Sequence, residues 1–464
     1  MISEKTELQE IITSGCDERI FIRPETNANK YHLNPVHFES LFQRGSCTCG
    51  TFTPHGYAVG VEFLKNYSSE KYEQIVEEQT NRLHSLLSIS AKIFDVYYGP
   101  SGSDMMYLPL LFQSILNPDK PIVNIVSCPE ELGSGSKLAA ELAYYSEWNQ
   151  FGEKIPQGQK LSSAIESQVY YLAAREKSGH IANRNQKIRK IIKKNPNLPI
   201  IGNLVFGSKS GIKDDLDIID EFPQIMWVVD MCQFRTDQNL IRKLINKGVM
   251  VMVTGSKFYQ APPFCGGLLV PTKWTSKLKK TSGKNVIYFN RIFSAYDFPK
   301  NLSNLREKLP RFKNIGLRLR WEVALCEMEA YLSFPQNECN ALIRRWNQVV
   351  TGRLAQSDTF RLMPNMELTN DSIISFMVLF NGVALNNVEL KKLFDYLVLN
   401  KHEGLDGFNC LFLGQPVQYG EKSFIRLAIG SYSVRKQLLN GRFEPYNDLR
   451  LIEIIEECVT KLFE

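Results

Sequence analysis

The chain has 464 residues, of which 44% are hydrophobic and 22% charged, with a net charge of +6. That length exceeds one simple core and implies two or more subdomains, and the modest, dispersed positive charge gives no basis for nucleic-acid binding. The N-terminus carries no basic segment followed by an apolar core, and no apolar run approaches membrane-spanning length, so neither secretion nor a membrane partner is expected.

Ten cysteines are spread along the chain without a Cys-x-x-Cys or a metal-like pairing with histidine, the pattern of free thiols in a reducing cytosol. Cys47-Thr-Cys49 has only His37 and His55 nearby and does not read as a zinc site, so no metal is expected. The first chemical signal is Tyr97-Tyr-Gly-Pro-Ser-Gly-Ser-Asp-Met-Met106. A turn of glycine and serine that opens a helix directs backbone N–H groups and the positive helix end at an anion. Ser101, Gly102 and Ser103 would lie at that anion, with Asp104 able to cap the helix, although an ordinary N-cap reads equally well here.

A strand over 121–127 leads into Cys128-Pro-Glu-Glu131 and then Gly133-Ser-Gly-Ser-Lys137, which lacks the full spacing of a nucleotide-binding loop and reads as cavity wall. The basic stretch 184–194 reads as a surface helix with a solvated face, since no aromatics interleave with it. The apolar run 198–205 is followed by Phe206-Gly-Ser-Lys-Ser-Gly-Ile212, either a strand-to-helix loop or a turn at a ligand.

Two apolar runs then end in chemistry. The run 225–229 closes on Asp230, and a buried carboxylate at a strand end is costly without a cationic partner. After a helix over 239–246, the run 249–253 ends in Thr254-Gly-Ser256. Lys257 therefore emerges from a strand end beside two hydroxyls and no carboxylate, the setting that favours a free amine able to attack an aldehyde. A Schiff-base lysine and a neighbouring aspartate facing one cavity are what a protein contributes to pyridoxal 5'-phosphate (PLP) chemistry, where the aspartate pairs with the ring nitrogen.

After Pro271 the texture changes: 273–284 is basic and polar, Pro299 and Pro310 break the chain, and 312–334 reads as a long helix. Cys410 sits in the apolar run 408–413 and is expected to be a buried core thiol. Arg426 interrupts an alternating apolar strand, and a guanidinium there needs an anion that takes two hydrogen bonds. A salt bridge to Glu421 or Asp448 is the structural alternative to a ligand.

Together these motifs resemble the fold-type I PLP-dependent enzymes, the aspartate aminotransferase superfamily, and within them the class V branch of aminotransferases and cysteine desulfurases. The branch has a glutamine or histidine three positions after the strand aspartate, near the cofactor's phenolic oxygen, and Gln233 stands there. Its lysine commonly follows a serine or threonine, a glycine and a small polar residue or histidine, matched by Thr254, Gly255 and Ser256, whose hydroxyls join the phosphate site. Ser256 departs from the histidine common in desulfurases. The resemblance assigns Ser208 to the cofactor ring. Where the family places a ring-stacking aromatic or histidine, this chain has Cys128 to Glu131, with Glu131 as the candidate. Arg426 corresponds to the arginine that grips the substrate's α-carboxylate.

The resemblance implies an α/β fold with a large PLP-binding domain over 46–285, built on a mainly parallel seven-stranded sheet flanked by helices. An N-terminal arm (1–45), a connecting segment (286–319) and a smaller α+β C-terminal domain (320–464) would complete it. It also implies a cytoplasmic homodimer with the active site at the subunit interface. The implied reaction begins with an amino acid, held by Arg426, displacing Lys257 from the cofactor so that the freed amine takes the α-proton. Transamination is the first expectation; a PLP-dependent lyase, through β- or γ-elimination or C–S cleavage, is the second. A non-catalytic PLP-fold protein ranks below both, because the lysine and aspartate are present. The substrate's side chain stays open: Arg23, Arg44, Arg235 or Arg291 would recognise a second acidic group, or none of them does.

Overall fold

The computed structural model describes residues 2–45, 50–176, 181–207, 209–235, 238–363, 371–420 and 422–464; Cys47, Cys49, Ser208 and Glu421 lie outside the described residues. The strands are, in chain order, β1 (Leu41–Arg44), β2 (Phe94–Gly99), β3 (Ile122–Ser127), β4 (Ser167–Leu172), β5 (Ile200–Val205), β6 (Met226–Asp230), β7 (Met250–Thr254), β8 (Gly266–Pro271), β9 (Phe360–Leu362), β10 (Ile373–Phe380), β11 (Val383–Ala384), β12 (Cys410–Tyr419) and β13 (Lys422–Ala428).

The large sheet has seven strands in the order β2-β8-β7-β6-β5-β3-β4. Pairing is parallel from β7 through to β4, and β8 runs antiparallel to both β2 and β7. The C-terminal ends of six strands therefore share one edge with the start of β8. Gly99 pairs with Gly266 and Gly266 with Thr254, which brings the turn after β2 beside the loop after β7. A Cβ at Gly266 would fall 2.4 Å from the Ser101 carbonyl oxygen, so only glycine lets that turn lie over the sheet.

The central strands are apolar throughout because both faces are covered. Val229 and Val251 face one layer, with Leu83, Leu87, Ile241 and Leu244 from the helices Tyr72–Leu87 and Gln238–Asn246. Met226, Val228, Met250 and Met252 alternate to the other layer, with Leu108, Leu111 and Phe112 from the helix Tyr107–Leu116. The helix Arg184–Lys194 buries Ile188 and Ile192 and pairs half-buried Arg189 with Glu221.

A second sheet joins the two ends of the described chain, in the order β1-β12-β13-β10-β11 with β9 on β10. β1 lies parallel to β12, Leu41 opposite Cys410. The long helix expected over 312–334 runs Ile315–Leu332. Its buried Arg320 donates to the carbonyls of Ile12, Ser14, Gly15 and Phe264, satisfying the end of the first helix, Ile2–Ile12.

Three local expectations change. Phe206 is bridged to Lys213, so the chain after β5 pairs back on itself instead of opening a helix. β13 is buried on both faces beyond Lys422, so it does not alternate. Cys410 is half-buried at the start of β12, its thiol 3.2 Å from the Asn409 side-chain oxygen, because the strand begins at the edge of the core. Among the described residues, no helix is long and apolar enough to cross a membrane.

Candidate active site

At the end of β2 the chain enters a capping box: Asp104 accepts from the Ser101 N–H at 2.8 Å and the Ser101 hydroxyl at 2.9 Å. The Ser101 donors are therefore occupied by Asp104, and the groups left to face an anion are Gly102 and Ser103. The Ser103 hydroxyl lies 3.4 Å from that of Ser136. Gly133 and Gly135 allow this approach, since a Cβ on either would come within 3.3 Å and 3.2 Å of the Ser103 oxygen. The Gly-Ser-Gly-Ser run read as cavity wall thus delivers Ser136, a residue that sequence reasoning did not single out.

Gly102 also looks the other way, onto Cys232: a Cβ there would stand 3.0 Å from the Cys232 Sγ and 3.7 Å from Thr254. Cys232 is where the motifs meet. Its N–H donates to Asp230 at 2.8 Å and its carbonyl accepts from the Thr254 hydroxyl at 2.9 Å. Burial pushes its thiol well above the ordinary range, the Asp230 carboxylate pushes it further, and the Lys257 ammonium opposes them. Asp230 therefore holds the Cys232 backbone beside the Gly102 turn, and the charge of Lys257 reaches the same thiol. Asp230 and Lys257 are each only half-buried. Gly255 is obligatory two residues before Lys257, since a Cβ would fall 2.3 Å from that of Ala324 on the long helix. Ser256 faces the Cys265 thiol, which burial raises to about 11.

A second group of residues gathers at the 206–212 turn. Arg426 donates to the Lys209 carbonyl at 2.8 Å and to the Gln415 carbonyl at 3.2 Å. Asp448 is not its partner, because that carboxylate is held by Arg44 at 2.5 and 2.8 Å and by the Trp346 indole at 2.9 Å. Glu131 accepts from the Ser210 N–H at 2.9 Å and the Ser210 hydroxyl at 2.5 Å, which pins it to the same turn. Cys128, directly after β3, takes a left-handed φ of 49°.

Of the four arginines considered for a second acidic group, Arg44 is bound to Asp448, Arg291 lies 3.6 Å from Glu153 and Arg23 is exposed. Arg235 is half-buried, donates to the Gln233 side-chain oxygen at 2.5 Å and stands 5.3 Å from the Phe258 ring centroid. Burial, and then the nearby charge of Arg426, lower it to about 9.

Behind the Ser101 turn lies a buried network invisible in the sequence. The Tyr145 hydroxyl is 2.9 Å from Asp104, 3.2 Å from the Ser101 hydroxyl and 3.4 Å from Asp17. Arg19 grips Asp17 at 2.6 and 2.7 Å and reaches the Ser101 hydroxyl at 3.3 Å. Arg19 holds the Asp17 carboxyl below its usual range against the opposing effect of burial, whereas burial and the charge of Asp17 raise Asp104 to about 7.

No family model and no curated protein sequence matches the chain. Solved structures do match in fold. An alanine–glyoxylate aminotransferase from a Nostoc species superposes with a TM-score of 0.55 at 13% identity, covering 90% of this chain and 97% of that one. A NifS-like protein from Rickettsia africae gives 0.54 at 10% identity, covering 90% and 99%. Tryptophan decarboxylase from Catharanthus roseus gives 0.54 at 14% identity, covering 92% and 84%. The chain has the fold these proteins share, the fold-type I architecture implied by its motifs.

Proposed function

We propose that the chain is a PLP-dependent enzyme acting on an amino acid or the corresponding keto acid, and in the first instance an aminotransferase. The observation that carries this reading is the meeting of the Gly102 turn and Asp230 at Cys232, with the charge of Lys257 reaching the same thiol. The donor set fits such a cofactor. Gly102 offers backbone where a side chain would collide, Ser103 and Ser136 add hydroxyls for a phosphate, and Asp230 supplies a carboxylate for a cationic ring nitrogen. When bound, the cofactor supplies the electron sink that stabilises a carbanion next to the substrate's nitrogen. The protein's part is to bind, orient and move a proton. Arg426 orients the substrate carboxylate from the second sheet, and Lys257 serves as the amine that is displaced and then as the base at the α-carbon. Thr254, Ser256, Gln233 and Ser208 belong to the cofactor's surroundings in this reading. A homodimer with the site at the subunit interface and a cytoplasmic location rest on the family resemblance alone.

A lyase is the second reading, favoured by the decarboxylase that shares the fold and by Cys410, whose partial exposure leaves a thiol accessible in the second sheet. The test is the visible spectrum of the purified protein with added PLP, before and after borohydride, beside Lys257→Ala. The expected result is an absorption band that borohydride removes, with label fixed to the Lys257 peptide, and no band in the variant. A wild-type protein that binds no PLP overturns the reading; amino-acid and keto-acid screening then separates transamination from elimination.

A further inference from the structure

The net charge read as dispersed is gathered on one stretch. Residues 273–313 hold eleven Lys or Arg against two Asp or Glu, an excess of nine where the whole chain carries +6. Apolar anchors hold this stretch down: Trp274, Leu278, Val286, Phe289, Leu305 and Leu309 are buried in the same layer as the helix Tyr107–Leu116. Its turns are also tied to one another, since the Asn304 amide donates to the carbonyls of Leu278 at 3.2 Å and Thr281 at 2.9 Å. A Cβ on Gly283 would fall 2.3 Å from the Leu305 side chain. Arg291, Lys300 and Arg306 pair with Glu153, Glu77 and Glu73. Lys277, Lys279, Lys280, Lys284, Lys308 and Arg311 are all exposed, and among the described residues none of these six forms an ion pair. The 3₁₀ helix Lys284–Phe289 sets the centre of this face. Side chains at i and i+3 eclipse in such a helix, so Lys284, Ile287 and Asn290 stand in one exposed row while Val286 and Phe289 are buried. Ile287 is 55% exposed. Asn290 ends the row at an open groove of about 810 Å³ whose wall includes Lys308 and Arg311. An exposed isoleucine therefore stands between Lys284 and the cations of the groove.

We propose that this face docks the chain on an anionic lipid surface, with the lysines over the headgroups and Ile287 entering the acyl boundary below them. Lysine ammoniums are point charges that suit a diffuse array of phosphates, and an aliphatic side chain gains by leaving water for that boundary. A single-stranded nucleic acid calls instead for exposed aromatic platforms. The aromatics of the groove, Phe151 and Phe312, are half-buried and packed edge-on against each other at 5.2 Å. Attachment of this kind lies on a membrane without spanning it, so it corrects the expectation of no membrane partner, which rested on the lack of a spanning run. It does not depend on the PLP reading.

Cosedimentation of the full chain with vesicles of phosphatidylcholine alone, and of phosphatidylcholine with phosphatidylserine, tests the proposal. Binding is expected only where phosphatidylserine is present, and it should fall as salt rises. The triple variant Lys277→Gln, Lys279→Gln, Lys280→Gln should weaken it about a hundredfold, and Ile287→Ser about tenfold. A second triple variant, Lys190→Gln, Lys193→Gln, Lys194→Gln, removes the same charge from the exposed face of the helix Arg184–Lys194 and should bind as wild type. An unchanged melting temperature shows that the variants are folded, and Ile287→Ser decides the matter if the first triple variant is not. No sedimentation of wild type, equal binding to both vesicles, equal losses in the two triple variants, or an Ile287→Ser variant that binds as wild type overturns the proposal. Tighter binding of a single-stranded oligonucleotide than of the phosphatidylserine vesicles, lost in the first triple variant, overturns it as well.

Discussion

The two poles of the site are built by opposite means. At the Ser101–Ser103 turn, carboxylates, a phenol and a guanidinium bond directly to one another, so that Asp17, Arg19, Asp104 and Tyr145 form a closed buried network. At the Arg426 pole, Arg426 donates to the Lys209 and Gln415 carbonyls and Arg235 to the Gln233 amide oxygen. The first pole is finished by the protein itself and presents backbone. The second positions Arg426 through backbone carbonyls that the chain brings from 217 and 11 positions away. In the proposed reading the first is a fixed cradle for a resident group and the second a grip for an exchangeable carboxylate, two different demands met at one edge of the sheet.

The comparison breaks most visibly at Arg426. Arg426→Gln is expected to weaken glutarate and pentanoate alike, by about a hundredfold in calorimetry, while PLP affinity holds; a variant that loses PLP as well would show that the poles are not separable. A smaller effect is expected at the other pole. Tyr145→Phe removes the hydroxyl that bridges Asp104, Ser101 and Asp17, so PLP binding should weaken about tenfold while pyridoxal, which lacks the phosphate, binds as in wild type. Equal weakening of both ligands would make the network a general structural element.

The smallest effect concerns pH. Burial, helped by Asp17, raises Asp104 to about 7, so the folded chain keeps a proton that the unfolded chain releases near pH 4. The stability this proton supplies is fully present at low pH and is lost as pH climbs through about 7; Asp297, raised to about 6 by burial, acts the same way. Asp17 works in reverse, since its lowered carboxyl stabilises the fold above its unfolded value and loses that effect as pH falls. Asp104→Asn should gain about 2 °C in melting temperature relative to wild type between pH 5 and pH 8, and a constant difference across that range would count against the raised carboxyl.

What could be read from the sequence follows from distance along the chain. Asp230 and Lys257 each close an apolar run, a local pattern that survives without knowing the neighbours, and β3, β5, β6 and β7 follow from similar runs, whereas Ser167–Leu172 of β4 is too polar to announce itself. The partners that fix the turn were not legible: Tyr145 lies 41 positions from Asp104, and Arg19 lies 82 from Ser101. Glu131 looked available for a ring because its partner, Ser210, is 79 positions away, and Arg426 meets Lys209 across 217. The alternation expected of β13 failed because a strand in the middle of a covered sheet has no solvent face to mark. Nor does an apolar run show its direction, which is why the reversal of β8 had no sequence signal.

The parallel pairing of β1 with β12 has a consequence during synthesis. Ser40, beside β1, and Cys410, at the start of β12, are separated by 370 positions. A ribosome adding about 5–20 residues per second needs roughly 20–70 s to make the stretch between them. β1 must wait that long as an unpaired edge, while the seven-stranded sheet, whose strands end at Pro271, is already available to fold. The second sheet, and with it Arg426, is therefore the last part of the cleft to be assembled.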